Sequence, residues 1–433
     1  MIHVLLIICS EIYGQNRITS HPLGSLSIDS ANNNIETAFG NKLDEINLVG
    51  LGEVSHGDKT TFAFNVKMVQ YLVTNKNFKI LLLEAPNSIV SIINEFISNS
   101  ANYSNADIDS LVKRNIPYGP FHDEETSGLI KWLKDYNDQH PNSKVSIMGM
   151  NIDAKSPEIL LNDYIKPYDQ ASFSVLTEKW KKPNYELFYK WSDVFNWEVE
   201  NRDLINKLND STKEQIEGDI REAETTLEYF YRLTEIPKKD GSYVIFGNAG
   251  PLTVPDDNYF LQNYLHPGYD KYFTTNLRKL DSLREYSMAS YILKEAKISK
   301  SIVWAHNDHI LKPAGDKRSH LIMGDYLNLS LGRKYFNIIS DYSEEAVVLT
   351  YDQKGIKKEP NAQAGSPTVK VLKKQFSFSE GIILSDELEK AGFKKIIIHT
   401  IDVHGGVFLY EVPIDGFDAI IVFNTLAPRA LIK

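Results

Sequence analysis

An α/β fold with a largely parallel central sheet flanked by helices is predicted by three features of this chain. Short apolar runs, mostly β-branched or leucine-rich, recur at residues 46–51, 80–83, 145–148, 302–304, 335–339, 396–398 and 419–423. Several are apolar throughout rather than alternating, the pattern of strands buried on both faces. Between the first two runs, Phe62, Val66, Val69 and Leu72 recur at helical spacing within 60–75, so strand, helix and strand follow one another as in a βαβ unit.

The remaining elements follow in order. Residues 1–15, MIHVLLIICSEIYGQ, hold an apolar run from Val4 to Cys9 too short to span a membrane and read as a leader segment. A leader implies export to the periplasm or the medium; without it the chain is expected in the cytoplasm. Residues 16–433 read as one α/β domain. From about 155 to 280 the chain is charged and aromatic without strand-like runs, and is expected to form a helical insertion over the carboxyl ends of the strands. Within it, 241–267 is rich in Gly, Pro, Asp and Asn and reads as loop. Helix returns over 270–296 and leads into the run at 302. Residues 354–371, polar with Pro360, Gly365 and Pro367, read as a surface excursion.

Composition removes several function classes. A net charge of −10 over 433 residues opposes a nucleic-acid partner, and no segment is expected to span a membrane. Cys9 is the sole cysteine, so neither an internal disulfide nor a cysteine zinc site can form. The G-x-S-x-G elbow, the H-E-x-x-H helix, the Walker loop and the G-x-G-x-x-G turn are all absent. The expected partner is a small molecule, and the 23 tyrosines and 20 phenylalanines are enough to line an apolar pocket as well as the core.

Chemistry concentrates where the apolar runs end. The first is followed by Glu53 and His56, the second by Glu84, the third by Asn151 and Asp153, and the fourth by His306 and His309. Ligands of open α/β sheets bind outside the carboxyl ends of the strands, so these residues are expected to meet in one pocket. Carboxylates and histidines without a nucleophile suit water activated by a general base, or a metal-bound water. Glu53 could instead cap the following helix, and Asn307 and Asp308 could only shape the turn between the two histidines. His122, His320, His399 and His404 are weaker candidates.

At these residues the sequence resembles the erythromycin esterase family, which hydrolyses the lactone ester of macrolide antibiotics. The family pattern G-E-x-S/T-H-G appears as Gly52-Glu53-Val54-Ser55-His56-Gly57, and W-A-H-N-x-H-I/V as Trp304-Ala305-His306-Asn307-Asp308-His309-Ile310. A strand ending in Glu84 lies between them, as does an acidic pair, Glu124-Glu125, ahead of a helix that carries Trp132 and Tyr136-Asn137. Arg284 with Met288-Ala289, then Met323-Gly324, Leu327, Gly332 and Tyr335, and a last strand at 417–421 extend the likeness over about 36–430.

The resemblance implies direct attack by water without an acyl-enzyme. His56 would be the general base and Glu53 would orient its imidazole. Glu84, His306 and His309 would complete the polar wall, and Arg284 would face the substrate or the developing oxyanion. Lys67, Tyr118, Phe121 and Asp153 are the expected substrate contacts. No cofactor is expected; a divalent metal held by Glu53, His56, Glu84, His306 and His309 is the alternative. Two departures bear on substrate: the place usually basic nine residues after the histidine holds Asn65, and the usual G-F-D reads Gly149-Met150-Asn151. They leave a catalytically inactive macrolide-binding protein as a further alternative.

Overall fold

A computed structural model describes residues 18–23, 28–98, 121, 123–151, 236–237, 243–244, 285, 288–312, 321–352, 355–361, 366–374, 380–401 and 406–431. The chain forms two compact units. The first comprises Met1–Glu84, Ser91–Met150 and Ala289–Lys433; the second comprises Ala85–Val90 and Asn151–Met288.

The first unit is built on one mixed sheet. Its strands are β1 (His21–Pro22), β2 (Leu48–Glu53), β3 (Ile80–Pro86), β4 (Ser146–Asn151), β7 (Ser301–His306), β8 (Tyr335–Asp352), β9 (Gly355–Asn361), β10 (Gly381–Leu384) and β13 (Ala419–Leu426). In the second unit, β5 (Ile236–Pro237) and β6 (Tyr243–Val244) pair antiparallel. The sheet order is β1-β10-β13-β8-β2-β7-β3-β4, with β9 paired to β8. From β13 to β3 the pairing is parallel throughout. Antiparallel strands β10, β1 and β9 finish it. Every residue of β2 and of β7 is buried, as uniformly apolar runs require when both faces are covered.

β2 and β3, consecutive in the chain, are not neighbours in the sheet. β7, which arrives some 250 residues after β2, lies between β2 and β3. This insertion lines up three strand ends that carry chemistry: Glu53 on β2, His306 on β7 and Glu84 on β3.

Helices α1 (Ile28–Phe39), α2 (Lys59–Lys76), α3 (Asn87–Ser98) and α4 (Glu124–Gln139) belong to the first third of the chain. α2 is the predicted 60–75 helix. Asp58 caps it by accepting the Thr61 N–H at 2.6 Å. Asn77 ends it in the left-handed region at φ 60°, returning its N–H to the Leu72 carbonyl. α2 packs on β2 and β13 and against α1 and α4. The later helices are α5 (Asn307–Ile310), α6 (Met323–Leu331), α7 (Pro367–Lys373) and α8 (Ser385–Lys390).

Several sequence expectations change. Residues 354–371 are not a plain excursion: β9 pairs over its whole length with Ala346–Asp352, and α7 follows, capped by Ser366. The run at 335–339 is only the start of an 18-residue strand, because pairing with β13 and then with β9 carries the chain through the polar residues that follow. The run at 396–398 is buried but lies outside the main sheet. It forms β11 (Lys395–Ile401), which ladders with β12 (Val407–Pro413) and touches the loop after β2 through an isolated bridge from Ile401 to Ser55. The expected leader at 1–15 lies outside the described residues, as does the helical insertion at 155–280 apart from β5 and β6. Among the described residues no helix is long and apolar enough to cross a membrane.

Candidate active site

The site begins with a tight turn that only glycine permits. Gly52, the last residue but one of β2, lies under α5. A Cβ there would sit 2.2 Å from Asn307 Oδ1 and 3.0 Å from Ile310 Cδ1. At Gly57 a Cβ would fall 2.0 Å from the Leu349 carbonyl oxygen, because Leu349 N donates to the Gly57 carbonyl at 3.0 Å. The two glycines let the loop 54–57 turn back tightly against β8, with Glu53 and His56 between them. Asn307 is structural: its amide donates to the Ser340 carbonyl at 2.8 Å and accepts the Ser340 N–H at 3.2 Å.

Glu53 is fully buried. Its Oε1 pairs with His56 Nδ1 and its Oε2 accepts the Trp304 indole N–H at 2.7 Å. Both carboxylate oxygens are therefore occupied by side chains, and the cap of α2 is Asp58, not Glu53. A carboxylate accepts a hydrogen bond from Nδ1–H, which leaves the lone pair of neutral His56 on Nε2. The His56 side chain remains 14% exposed, enough for water to reach it.

His306 stands across from His56, ring centroids 5.2 Å apart. Its backbone N–H donates to Glu84 Oε2 at 3.0 Å, and its Nε2 donates to the Val54 carbonyl at 2.9 Å. Its Nδ1 faces Asp308 Oδ2 at 3.6 Å. The Thr400 hydroxyl lies 3.0 Å from Nε2 and donates to Asp308 Oδ2 at 3.2 Å. Burial disfavours the imidazolium, but Asp308, Glu53 and Glu84 outweigh it and raise the His306 pKa. For Asp308 burial opposes the charged form, while His306, His309 and Thr400 hold its carboxyl below the usual range. The two shifts agree on an imidazolium–carboxylate pair. His309 Nε2 lies 3.0 Å from Glu84 Oε1.

Five expected site residues, Glu53, His56, Glu84, His306 and His309, thus meet at the carboxyl ends of β2, β3 and β7. Lys67 is on α2, half-buried, 3.3 Å from Gln70 Oε1, and burial lowers its pKa. Phe121 is fully buried, edge-on to Trp304 at 5.5 Å and tilted on Phe62 at 5.8 Å. It forms the apolar wall behind the indole that holds Glu53. Arg284, Tyr118 and Asp153 lie outside the described residues, as do His122, His320 and His404. His399 is buried against Asp341, its Nδ1 3.0 Å from Oδ1, with Tyr342 stacked on the ring at 4.6 Å. Asn65, where a basic residue was expected, is buried and donates to the Gly52 carbonyl at 3.4 Å. It braces the motif from below.

Sequence reasoning passed over Asp308 and Thr400. Thr400 obeys the same rule as the others, a polar residue at the exit of an apolar run, and that rule applied to 396–398 would have found it. Asp308 carried no signal, since a turn aspartate and a histidine partner look alike in sequence. Among the described residues no group of three or more His, Cys, Asp or Glu side chains is arranged to hold a metal ion; His56 Nδ1, His306 Nδ1 and His309 Nε2 point at carboxylates, and His306 Nε2 at a carbonyl.

One buried acid sits just behind the loop. Asp58 is fully buried, and desolvation, helped by Glu53 and opposed by Thr61 and Arg429, pushes it from its ordinary 3.8 up to about 7. Between those values the native state holds a proton that the unfolded chain has released, so stability falls as pH rises. The slope is on the order of 1.4 kcal/mol per pH unit at most. Asp58→Asn keeps a capping side chain and removes the titration. Urea denaturation at pH 4.5 and 7 should show the wild type losing more stability than the variant; equal losses would refute the assignment.

A mixed sheet with carboxylates and imidazoles at the ends of its parallel strands is an arrangement suited to general acid–base chemistry. The family model described as erythromycin esterase matches residues 73–366, and the chain belongs to the erythromycin esterase family. That match contains Glu84, His306 and His309 and begins after Glu53 and His56. "Putative hydrolase YbfO" of Bacillus subtilis (strain 168) is 21% identical over 310 residues, 67% of this chain. The chain spans 64% of the length of that relative. Among solved structures, a succinoglycan biosynthesis protein matches with a TM-score of 0.63 at 19% identity, over 96% of each chain. A Bacillus cereus protein matches at 0.62 and 16%, over 99% of this chain and 98% of its own. A mutant of the erythromycin esterase EreC in its open conformation matches at 0.55 and 15%, over 96% and 99%. At these identities the structural likeness establishes the fold.

Proposed function

We propose that this chain hydrolyses the ester bond of a macrolide-like lactone by direct attack of water, without an acyl-enzyme and without a metal. The observation that carries the reading is the Glu53–His56 pair: Nδ1 is committed to a buried carboxylate whose other oxygen is tied to Trp304. Nε2 is thereby the basic nitrogen. Water attacks the ester carbonyl carbon while its proton passes to Nε2. The tetrahedral intermediate then expels the alkoxide, which takes the proton back from His56, so base and acid are one residue. Ser55, the hydroxyl nearest the base in sequence, is 1% exposed and its Oγ accepts the Gly57 N–H at 3.0 Å; it is a turn residue, not a nucleophile.

A positioned base supplies roughly 10²–10⁴-fold, so stabilisation of the oxyanion must supply much of the rest. The cationic character favoured at His306, and Arg284 by family resemblance, are the groups proposed for it. Lys67, Tyr118 and Asp153 are proposed substrate contacts, with Phe121 acting from behind Trp304. The test is mass spectrometry of erythromycin and of a 16-membered macrolide after incubation with the protein, with and without a chelator. A gain of one water in both arms is expected. Unchanged mass on both substrates would reject the macrolide reading, and loss of the gain with chelator alone would reject the metal-free one.

A further inference from the structure

β11 and β12 form a two-stranded ladder whose register decides which side chains share a face. Thr400 is opposite Phe408, and Ile398 is opposite Tyr410. Cross-strand partners project to the same side, and alternate residues of one strand share a face. Thr400, Phe408, Ile398 and Tyr410 therefore occupy one face, and His399 and Leu409 the other. Thr400 is the residue that touches His306 and Asp308, so its face is the one turned to the catalytic cluster. On that face Phe408 is 50% exposed and Tyr410 41% exposed. The Tyr410 phenol lies beside Asp308, and burial together with that carboxylate raises its pKa. The ladder is anchored beside the base as well: Ile401 N donates to the Val54 carbonyl at 2.9 Å, two residues before His56.

Phe408 and Tyr410 stay half-exposed on a face whose buried core is filled by Ile396 and Ile398. We propose that Phe408 and Tyr410 form a binding ledge for the apolar body of the ester substrate, with Tyr410 marking the border between the ledge and the polar cluster. The proposal rests on the hydrolase reading above for the identity of the ligand as an ester. It adds that the preferred esters carry a large apolar portion, and that recognition of that portion lies on β12.

The test separates the ledge from the chemistry. Hydrolysis of octyl acetate and of methyl acetate is measured with the full chain and with Phe408→Ala, Tyr410→Phe and Leu409→Ala. Binding of 2-undecanone, the ketone isostere of octyl acetate that cannot be hydrolysed, is measured by intrinsic fluorescence. Phe408→Ala should weaken 2-undecanone binding about tenfold and raise KM for octyl acetate similarly, with kcat and methyl acetate turnover within about twofold of wild type. Tyr410→Phe should keep the binding, since the ring is retained. Leu409→Ala, equally exposed on the opposite face, should change nothing. Ketone binding that is absent in the wild type, or is weakened equally by Phe408→Ala and Leu409→Ala, or is untouched by Phe408→Ala, would overturn the ledge. Ketone binding that depends on Phe408 in a protein that cleaves neither ester would sustain the ledge and overturn the hydrolase reading.

Discussion

His56→Ala is expected to lower kcat by about 10³-fold while the protein stays folded. The ring is partly exposed, paired with Glu53 and facing His306. Its loss leaves Glu53 with the Trp304 N–H still bound, so the cost in stability should be no more than about 1–3 kcal/mol. Glu53→Gln is the sharper companion. The amide oxygen can keep the indole bond, but its NH₂ then faces Nδ1 and donates to it. That places the imidazole proton on Nε2, the wrong nitrogen for a base. A drop of about 10²–10⁴-fold with an unchanged unfolding midpoint is expected. Turnover above a tenth of wild type in either variant would remove His56 from the role of base.

The second large effect lies away from the chemistry, in the last described residues. Arg429 and Asp123 form an ion pair at 2.7 Å with both side chains fully buried. Arg429 also covers the Phe62 ring at 4.9 Å, and Phe62 packs on Trp304 at 4.9 Å. Its neighbours hold the active loop: Arg429 N donates to the Gly57 carbonyl at 3.2 Å and Lys59 N to the Ala427 carbonyl at 2.7 Å. Asp123 caps α4 by accepting the Thr126 N–H at 2.7 Å, and Glu124 N reaches the Ala430 carbonyl at 3.1 Å. The strand-like tail thus fastens the starts of α2 and α4 to each other.

Arg429→Met strands a buried carboxylate and should cost roughly 3–5 kcal/mol, read as a lower urea midpoint at pH 7. Adding Asp123→Asn removes the stranded charge while an amide oxygen can still cap α4, so the double variant should recover more than half of that loss. A double variant as unstable as the single one would show that the loss comes from packing on Phe62 rather than from the ion pair.

Much of this arrangement was legible before any coordinates. Uniform apolar runs marked β2, β3, β7 and β13, because strands covered on both faces tolerate no polar alternation. The Phe62–Leu72 spacing marked α2 to within a residue at each end. The habit of placing polar groups at the exits of such runs pointed to Glu53, Glu84 and His306, and the two motifs pointed to the family. Less legible were β9 and β12. Edge and paired outer strands carry mixed or charged residues such as Lys357, Lys358 and Glu411, and their pairing is decided by a partner rather than by their own pattern.

Residue identity alone could place a carboxylate and an imidazole three positions apart on a turn, because that proximity is local. It could not say that β7 would thread between β2 and β3, bringing Glu53 and His306 into register and Glu84 under the His306 amide. Nor could it say that Thr400, from a strand outside the sheet, would reach His306, or that Asp308 would turn toward the ring rather than to solvent. Those contacts depend on strand order and cross-strand register. These are set by the burial of whole apolar faces over hundreds of residues, a collective quantity that no short stretch of sequence contains.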